Sequence, residues 1–473
     1  MDRLRCSIYS LIILMIFFVI VNSYAATIHV PKEQFTIQSG IDAAVDGDTV
    51  LVAAGTYKGN GNVNLDFKGK QIIVKSESGP AKTRISCSYT PNTRGFSFTN
   101  NETNDAILEG FSIRNGVHTN GGGIYIHNSS PTIKNCYIEW NRVVRDDNST
   151  GNGGGIYAKN SDVVLIGCTI SNNRAPYYGG GIFFEGSDDD FELKPGRYQP
   201  TVIDCTISHN TGTGIHSIED VQTIIKDSKV SQNSRRGVVA SIFQRGGTII
   251  TNCVISQNTG GGVECSEYSI LKIHDSVIKQ NTGEVGGGIY ASPSAQIEAT
   301  NCVIAQNIAQ DSGGGVGIES KLGDVTIANC TITRNVSEER GGGVYASLFG
   351  GGWTMLNSIV WGNSSNSTHN EIYGSGPRII IRNSNIKDGI KGFVKPPDED
   401  WLIYENNIEV DPLFVNPDIG DYTLEANSPA LAMGHTADLK IDTEEEQEQV
   451  KDPLNVTSIG KMVVKWGVLK QGD

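Results

Sequence analysis

One short phrase recurs ten times between Cys136 and Ser384. It consists of Asn or Asp in most copies, then Cys or Ser, and a branched apolar residue two places further on. The Cys or Ser stands at positions 136, 168, 205, 228, 253, 276, 302, 330, 358 and 384. A repeat of about 25 residues, lengthened in only some copies, is typical of a solenoid in which each coil packs on its neighbours.

Three short strands can be read in each repeat. In the copy around Cys136 they cover residues 131–134, 136–140 and 155–158. Asn or Asp stands between the first and the second strand, where a tight corner needs a residue that tolerates the left-handed backbone conformation. Stacked coils bring these corner side chains together at about 4.8 Å, so we expect amides to hydrogen-bond along the stack. With 56 glycines and only 7% aromatic residues, the composition favours an all-β, single-stranded parallel β-solenoid and excludes a helical bundle.

The ends of the repeat region suggest a domain organisation. Residues 37–45 have the apolar spacing of a short helix, and a helix there would cover the open edge of the first coil. We therefore expect an N-terminal cap and first coils over 26–104, the regular repeats over 105–392, and a last coil with a C-terminal cap over 393–434. An acidic tail follows over 435–473.

The nine cysteines raise the question of disulfides. Six of them occupy the repeated position, where they alternate freely with Ser. Disulfide partners would not be replaced in this way, so we expect buried, unpaired thiols stacked between coils. A Cys-x-x-Cys spacing typical of a zinc site is absent.

Residues 1–25 have the pattern of an export signal. Arg3 and Arg5 precede an apolar run over 11–21, and small residues follow up to Ala25. The run is short for a membrane span, so we expect a secreted or cell-surface protein with no membrane span after cleavage. A formal net charge of −14 argues against a nucleic-acid partner.

A second motif marks the third strand of the repeat. Three glycines, then Ile or Val and an aromatic residue, occur in five copies that begin at Gly121, Gly153, Gly179, Gly286 and Gly341. If the branched residue points inward, the next residue points outward. The outward row would then be Tyr125, Tyr157, Phe183, His216, Val239, Glu264, Tyr290, Gly317 and Tyr345.

These motifs resemble the pectin-lyase-like right-handed parallel β-helix family over roughly residues 27–434. The Asn/Asp-Cys/Ser phrases carry the resemblance, together with Gly47-Asp48-Thr49 near the start and Asp411-Pro412-Leu413 near the end. The resemblance implies the fold. It is weaker for an activity, because the family contains lyases, hydrolases, epimerases and adhesins.

The resemblance also implies that the Gly-Gly-Gly-Ile-Tyr strands form a substrate face. The two longest insertions, 142–152 and 186–199, would be walls of a groove above that face. Aromatic rings stack on sugars and polar groups bond their hydroxyls, so the substrate is expected to be a polysaccharide. The predicted substrate-binding residues are Tyr125, His127, Tyr157, Phe183 and Tyr198. Tyrosines on an exposed strand also occur for β-propensity and neighbour stacking alone.

The family's lyases remove a proton beside a uronate carboxyl with Arg or Lys, and calcium neutralises that carboxyl. On this pattern the predicted catalytic residues are Lys159, Arg145, His216 and Glu185. Asp188, Asp189 and Asp190 would offer the oxygen ligands that calcium prefers, although acidic runs in loops are often only solvated. The signatures of polygalacturonase-type hydrolases are absent.

Two functions therefore remain open from the sequence. The first is a secreted protein that binds polysaccharide and cleaves it as a pectate- or uronate-type lyase. The second is a non-catalytic adhesin or structural surface protein, because Gly-Gly-Gly-Ile repeats also resemble outer-membrane passenger domains.

Overall fold

The computed structural model describes residues 25–145, 151–176, 178–186, 198–241, 247–266, 268–320, 323–366, 369–393 and 401–435. Over this range the chain is an all-β, right-handed parallel β-solenoid, as predicted. One continuous apolar core runs through its interior from Val30 to Trp401.

Each coil contributes strands to three long parallel sheets, called sheet 1, sheet 2 and sheet 3 below. Sheet 1 has 15 strands: Thr27–Val30, Thr49–Val52, Ile73–Ser76, Ile107–Glu109, Thr132–Lys134, Val164–Ile166, Thr201–Ile203, Gln222–Lys226, Gly247–Thr251, Ile270–His274, Gln296–Thr300, Val325–Ala328, Trp353–Leu356, Ile379–Arg382 and Leu402–Glu405. Sheet 2 has 13 strands: Gly55–Lys58, Thr83–Ser86, Ser112–Arg114, Tyr137–Glu139, Thr169–Ser171, Thr206–Ser208, Lys229–Ser231, Val254–Ser256, Val277–Lys279, Val303–Ala305, Thr331–Thr333, Ile359–Trp361 and Asn385–Ile386. Sheet 3 has 12 strands: Leu65–Asp66, Phe96–Phe98, Ile124–His127, Ile156–Lys159, Ile182–Glu185, Ile215–Ile218, Val238–Ser241, Val263–Ser266, Ile289–Ala291, Val316–Ser320, Val344–Leu348 and Ile372–Ser375.

Short elements fill some of the connections. Val117–His118 pairs with Arg142–Val143, and a second small parallel sheet contains Thr282–Gly283, Ile308–Ala309, Val336–Ser337 and Ser364–Ser365. Two 3-10 helices cover Gly389–Gly392 and Pro417–Ile419. In the coil around Cys136 each strand begins one residue later than predicted.

The corner between sheets 1 and 2 has the predicted conformation. Nine Asn or Asp residues adopt the left-handed conformation there, with φ between 48° and 54°. They are Asn135, Asp204, Asp227, Asn252, Asp275, Asn301, Asn329, Asn357 and Asn383. The predicted side-chain stack is present in places: the amide of Asn252 donates to Asp227 Oδ1 at 2.6 Å, and that of Asn301 donates to Asp275 at 2.5 Å.

The thiols are buried and unpaired, as predicted. All eight described cysteines are buried and free of disulfides. At the repeated position a Cys or Ser side chain accepts from the backbone of the preceding coil; for example, Cys205 N–H donates to Ser228 Oγ at 3.1 Å. Because both residue types make this bond, the position tolerates either.

A ladder of buried asparagines closes the corner between sheets 2 and 3, and the sequence reading missed it. Its members are Asn141, Asn173, Asn210, Asn233, Asn258, Asn281, Asn307, Asn335 and Asn363. At Asn258 the backbone N–H and the amide Nδ2 both donate to Asn281 Oδ1, at 3.0 and 2.9 Å. Nδ2 also donates to the Val230 carbonyl at 3.1 Å. Each amide thus satisfies buried backbone groups that have no strand partner at the corner.

The glycines of the second motif make room for this ladder. A Cβ atom on Gly155 would lie 2.7 Å from the Gly181 carbonyl oxygen and 3.0 Å from Asn173 Nδ2. Successive glycine stretches approach closely enough for bonds such as Gly155 N–H to the Gly181 carbonyl at 3.0 Å. The triple glycine therefore has a structural role next to the ladder.

The predicted N-terminal helix is present at Ile37–Ala43. Thr36 and Ser39 form a capping box at its start, and Ile37 and Ile41 are fully buried in the first coil. In the described part of the chain no helix has the length and apolar character needed to cross a bilayer.

The ladder ends on a carboxylate. Asn363 Nδ2 donates to Glu371 Oε2 at 2.7 Å, and Gly362 N–H donates to Oε1 at 2.8 Å. Burial raises the pKa of Glu371 from 4.5 to about 7, although the hydrogen bonds from Asn363 and Gly362 oppose this shift.

The C-terminal segment folds back along the side of the solenoid. The hairpin Phe414–Asn416 and Asp421–Leu424 lies on sheet 2, where Phe414 and Tyr422 pack against the outward side chains of three coils. Arg334 Nη2 binds Asp418 at 2.6 Å, and Gly434 N–H donates to the Asn357 carbonyl. Residues 393–434 were predicted to form a last coil and a cap. The segment after the strand Leu402–Glu405 covers the outer face of sheet 2.

Replacement of Asn258 by Ala should lower the free energy of unfolding by about 3 kcal/mol or more, because it leaves buried groups of Val230 and Asn233 without a partner. Chemical denaturation followed by far-UV circular dichroism measures the change. The matched control is Asn252→Gly, which removes an exposed amide and keeps the left-handed corner. Equal losses for the two variants would contradict the role of the ladder.

Glu371 should make stability depend on pH. Its folded-state pKa of about 7 exceeds its ordinary 4.5, so its stabilising contribution is complete below pH 4.5 and is lost as the pH rises through 7. The free energy of unfolding of the wild type minus that of Glu371→Gln should fall by roughly 3 kcal/mol over this window. Denaturation at several pH values measures it. Glu405→Gln, at an exposed ion pair with Arg382, should show no such trend.

Candidate functional site

The outward row of sheet 3 has the predicted register. Tyr125 pairs with Tyr157, which pairs with Phe183, and Phe183 pairs with His216. One row further along the same strands, His127, Lys159 and Glu185 are in register. The solenoid therefore brings seven of the predicted site residues onto four consecutive coils.

The aromatic rings of this row stack on one another. The Tyr125 and Tyr157 ring centroids are 5.4 Å apart with planes 1° from parallel, and Tyr157 and Phe183 are 5.8 Å apart at 16°. Arg94 covers the other side of Tyr125, with its guanidinium carbon 4.6 Å from the ring centroid. Because the faces are occupied, the row presents ring edges and hydroxyls outward, and a sugar cannot lie flat on these faces as the sequence reading assumed.

Part of the row is also covered. Phe183 is 0% exposed and Tyr157 and His216 are each 5% exposed, although none of the three belongs to the interior core. Tyr178 is 45% exposed and lies over them, with its centroid 4.7 Å from that of His216 and 6.2 Å from that of Phe183. Tyr125, His127, Lys159 and Glu185 remain partly accessible.

Glu185 is the centre of a polar cluster. Its Oε1 binds Lys159 Nζ at 2.6 Å, and its Oε2 accepts from the Tyr157 hydroxyl at 2.7 Å. Burial, followed by the Glu185 charge, raises the pKa of Tyr157 well above its ordinary value, so the hydroxyl stays protonated and donates. The Glu185 carboxylate thus contacts both Lys159 Nζ and the Tyr157 hydroxyl.

His216 is placed against aromatic rings. Burial, with a smaller contribution from the positive charge of Arg235, lowers the pKa of His216 to about 3. Its imidazole is therefore neutral near pH 7, and its buried Nδ1 has no hydrogen-bond partner among the residues that the structure describes.

The other described residues of the prediction, Arg145 and Tyr198, lie outside the strands that carry this cluster. Arg145 is exposed after the strand Arg142–Val143. Tyr198 bridges to Val221 and packs against the interior core at the turn into sheet 1. Their functional roles stay predictions.

The predicted calcium ligands Asp188, Asp189 and Asp190 lie outside the described residues, as do residues 146–150 of the first predicted groove wall and 187–197 of the second. Within the described residues no group of three or more His, Cys, Asp or Glu side chains is arranged to hold a metal ion. Calcium binding therefore stays a prediction.

A cleft of about 450 Å³ adjoins the row at Tyr125. Arg94 lines it together with polar side chains that include Asn92, Ser97 and Thr99. The sequence reading missed Arg94 because the glycine motif does not occur in its coil. A usable signal was the Arg-Gly pair two residues before a strand, which recurs at Arg236.

Comparison with known proteins agrees with this architecture. A family model described as right handed beta helix region matches residues 72–242 and 154–309. Among solved structures, a mannuronic acid specific polysaccharide family 6 lyase from human gut microbiota is 13% identical, with a TM-score of 0.51, over 79% of this chain and 92% of that chain. A pectate lyase is 14% identical, with a TM-score of 0.42, over 86% of this chain and 91% of that chain. At this identity the likeness to the gut lyase shows the fold alone. No curated protein sequence matches the chain.

Tyr157→Phe should lower the free energy of unfolding by about 1.5–3 kcal/mol, because it keeps the ring stack but removes a hydrogen bond to the Glu185 carboxylate. Urea denaturation measures the change. Tyr125→Phe is the matched control, since the Tyr125 hydroxyl bonds to no described residue, and it should change stability by less than about 0.5 kcal/mol. A Tyr157→Phe variant as stable as the control would contradict the assignment.

Proposed function

Because the chain belongs to the right-handed β-helix family, we propose that it binds a polysaccharide along the outward face of sheet 3. The binding region runs from the cleft beside Tyr125 to the Lys159–Glu185 pair. The export signal predicted for residues 1–25 would place this face outside the cell.

One observation carries the proposal: accessible polar side chains stand in register on consecutive coils. His127, Lys159 and Glu185 follow one another at the coil spacing of about 4.8 Å. A polymer lying along the solenoid axis would meet an equivalent donor or acceptor at each coil. Saccharide hydroxyls are suited to such a row, because each can both donate and accept a hydrogen bond.

The gut lyase with a TM-score of 0.51 supports this choice of ligand class, since it is a polysaccharide lyase specific for mannuronic acid. A parallel β-helix of this kind is therefore able to present a long polymer-binding face.

The more specific proposal is that the protein also cleaves the bound polysaccharide. A uronate lyase needs a base close to the carbon beside the carboxyl, and Lys159 is the candidate nearest the centre of the face. Its role requires that a bound substrate separates it from Glu185, because Lys159 Nζ lies 2.6 Å from Glu185 Oε1. Asp188, Asp189 and Asp190 would then hold calcium against the substrate carboxylate.

The same ion pair favours the second candidate, a surface protein that binds glycan without cleaving it. In that case Lys159 would donate hydrogen bonds to sugar hydroxyls and Glu185 would accept them, and no proton would be removed from the substrate.

Lys159→Ala should weaken polysaccharide binding about tenfold, because it removes a charged hydrogen-bond donor from the face. The affinity is measured by calorimetric titration with polygalacturonate and with mannuronate-rich alginate in a buffer that contains calcium. The same mixtures are followed for ultraviolet absorbance from unsaturated products, which chelation of calcium should abolish if the protein is a lyase.

The matched control is Lys272→Ala, which removes an ion-paired lysine of sheet 1 at 3.5 Å from Glu298. It should leave binding unchanged. Equal losses for the two variants, or no binding to either polymer, would overturn the proposed function. Binding without an unsaturated product would keep the binding proposal and reject the lyase.

A further inference from the structure

We infer that the cleft beside Tyr125 binds an anionic group, a carboxylate or a sulfate, through Arg94. The inference rests on the proposed function for the identity of the polymer that carries the group. It specifies the ligand as an acidic saccharide and places its charge at one point on the face.

Arg94 is a buried cation that has no counterion among the described residues. It is only 6% exposed, and among the described residues its guanidinium has neither an ion pair nor a hydrogen bond. Its guanidinium carbon lies 4.6 Å from the centroid of the Tyr125 ring. Burial lowers the pKa of Arg94 to about 10, so it still carries its charge near pH 7. A buried charge without a counterion is costly, and such a group is normally paired.

The same chain contains a paired version of this arrangement. Arg236 precedes the strand Val238–Ser241 by two residues, as Arg94 precedes Phe96–Phe98, and it lies over Tyr290 at 5.1 Å. Arg236 Nε binds Glu264 Oε2 at 2.5 Å. The fold thus supplies a carboxylate to a buried arginine where no ligand is needed.

The register explains why Arg94 lacks such a partner. Glu264 occupies the outward position of the coil after Arg236, in register with Val239. The corresponding position after Arg94 is in register with Ser97 and is occupied by Tyr125. The acid is therefore replaced by an aromatic ring, and the guanidinium faces an open cleft instead of a carboxylate.

The cleft suits an anion that carries hydroxyls. Its lining contains no acidic side chain, although the protein has a net charge of −14. Asn92, Ser97, Thr99 and Asn120 supply neutral polar groups around Arg94. A guanidinium binds a carboxylate or a sulfate through two parallel hydrogen bonds, which fixes orientation as well as charge.

The test compares matched charged and neutral ligands. Calorimetry measures the binding of oligogalacturonate and its methyl ester, and of a sulfated galactan oligosaccharide and its desulfated form. The charged member of at least one pair should bind about tenfold more tightly to the wild type. Which pair shows the preference identifies the anion as carboxylate or sulfate.

Arg94→Gln should reduce this preference to less than about threefold. Ser97→Asp provides a second variant that leaves Arg94 in place and adds an acid to the cleft, and it should abolish the preference in the same way. Arg340→Gln, an exposed arginine over Tyr373 on the same side of the protein, should retain it. Equal binding of charged and neutral ligands by the wild type, or a preference that survives Arg94→Gln and Ser97→Asp, would overturn the inference.

A separate arm uses sodium sulfate at constant ionic strength and records the thermal midpoint. If no oligosaccharide binds, a sulfate-dependent rise in the wild type that is lost in Ser97→Asp supports the anion site while the polysaccharide proposal fails. No oligosaccharide binding and no such rise would overturn both.

Discussion

The buried amides from Asn141 to Asn363 govern the geometry of this solenoid. Each donates to a carbonyl of one coil and accepts from the backbone of another, and all but Asn141 also accept from an asparagine amide, so a change of coil register would break several buried hydrogen bonds. Little space is left beside the ladder, because a Cβ on Gly155 would lie 3.0 Å from Asn173 Nδ2 and 2.7 Å from the Gly181 carbonyl oxygen. Coil register and the triple-glycine motif both follow from this one interaction.

Fixed register determines what the outward face can do. Since equivalent residues lie directly above one another, aromatic side chains on consecutive coils stack face to face, as Tyr125 and Tyr157 do. Their faces are then unavailable to a ligand. Ligand contacts on this face must then come from residues beside the rings, such as Lys159 and Glu185, and from coils where the repeat is interrupted.

The regular parts of the fold could be predicted from the sequence, because they depend on local conformational preferences. Left-handed corners such as Asn135 need Asn or Asp, and the thiol position accepts Cys or Ser alike. The asparagine five residues after each Cys or Ser, from Asn141 to Asn363, was a periodic signal of the ladder that was overlooked. The burial of Phe183 could not be predicted from the sequence, because it depends on where Tyr178 packs in three dimensions. Val277 and Val303 are apolar residues on the outer side of sheet 2, and the C-terminal hairpin covers them.

A repeat protein contains its own comparisons, because an interaction made in one coil can be looked for in the equivalent place of another. Arg236 and Arg94 each stand two residues before a strand of sheet 3, and among the described residues Arg236 has a carboxylate partner and Arg94 has none. The fold is thus able to neutralise a buried arginine from the adjacent coil. At Arg94 the adjacent coil carries Tyr125 in place of a carboxylate. The guanidinium charge therefore lies beside an open cleft, where an anion from solvent can pair with it.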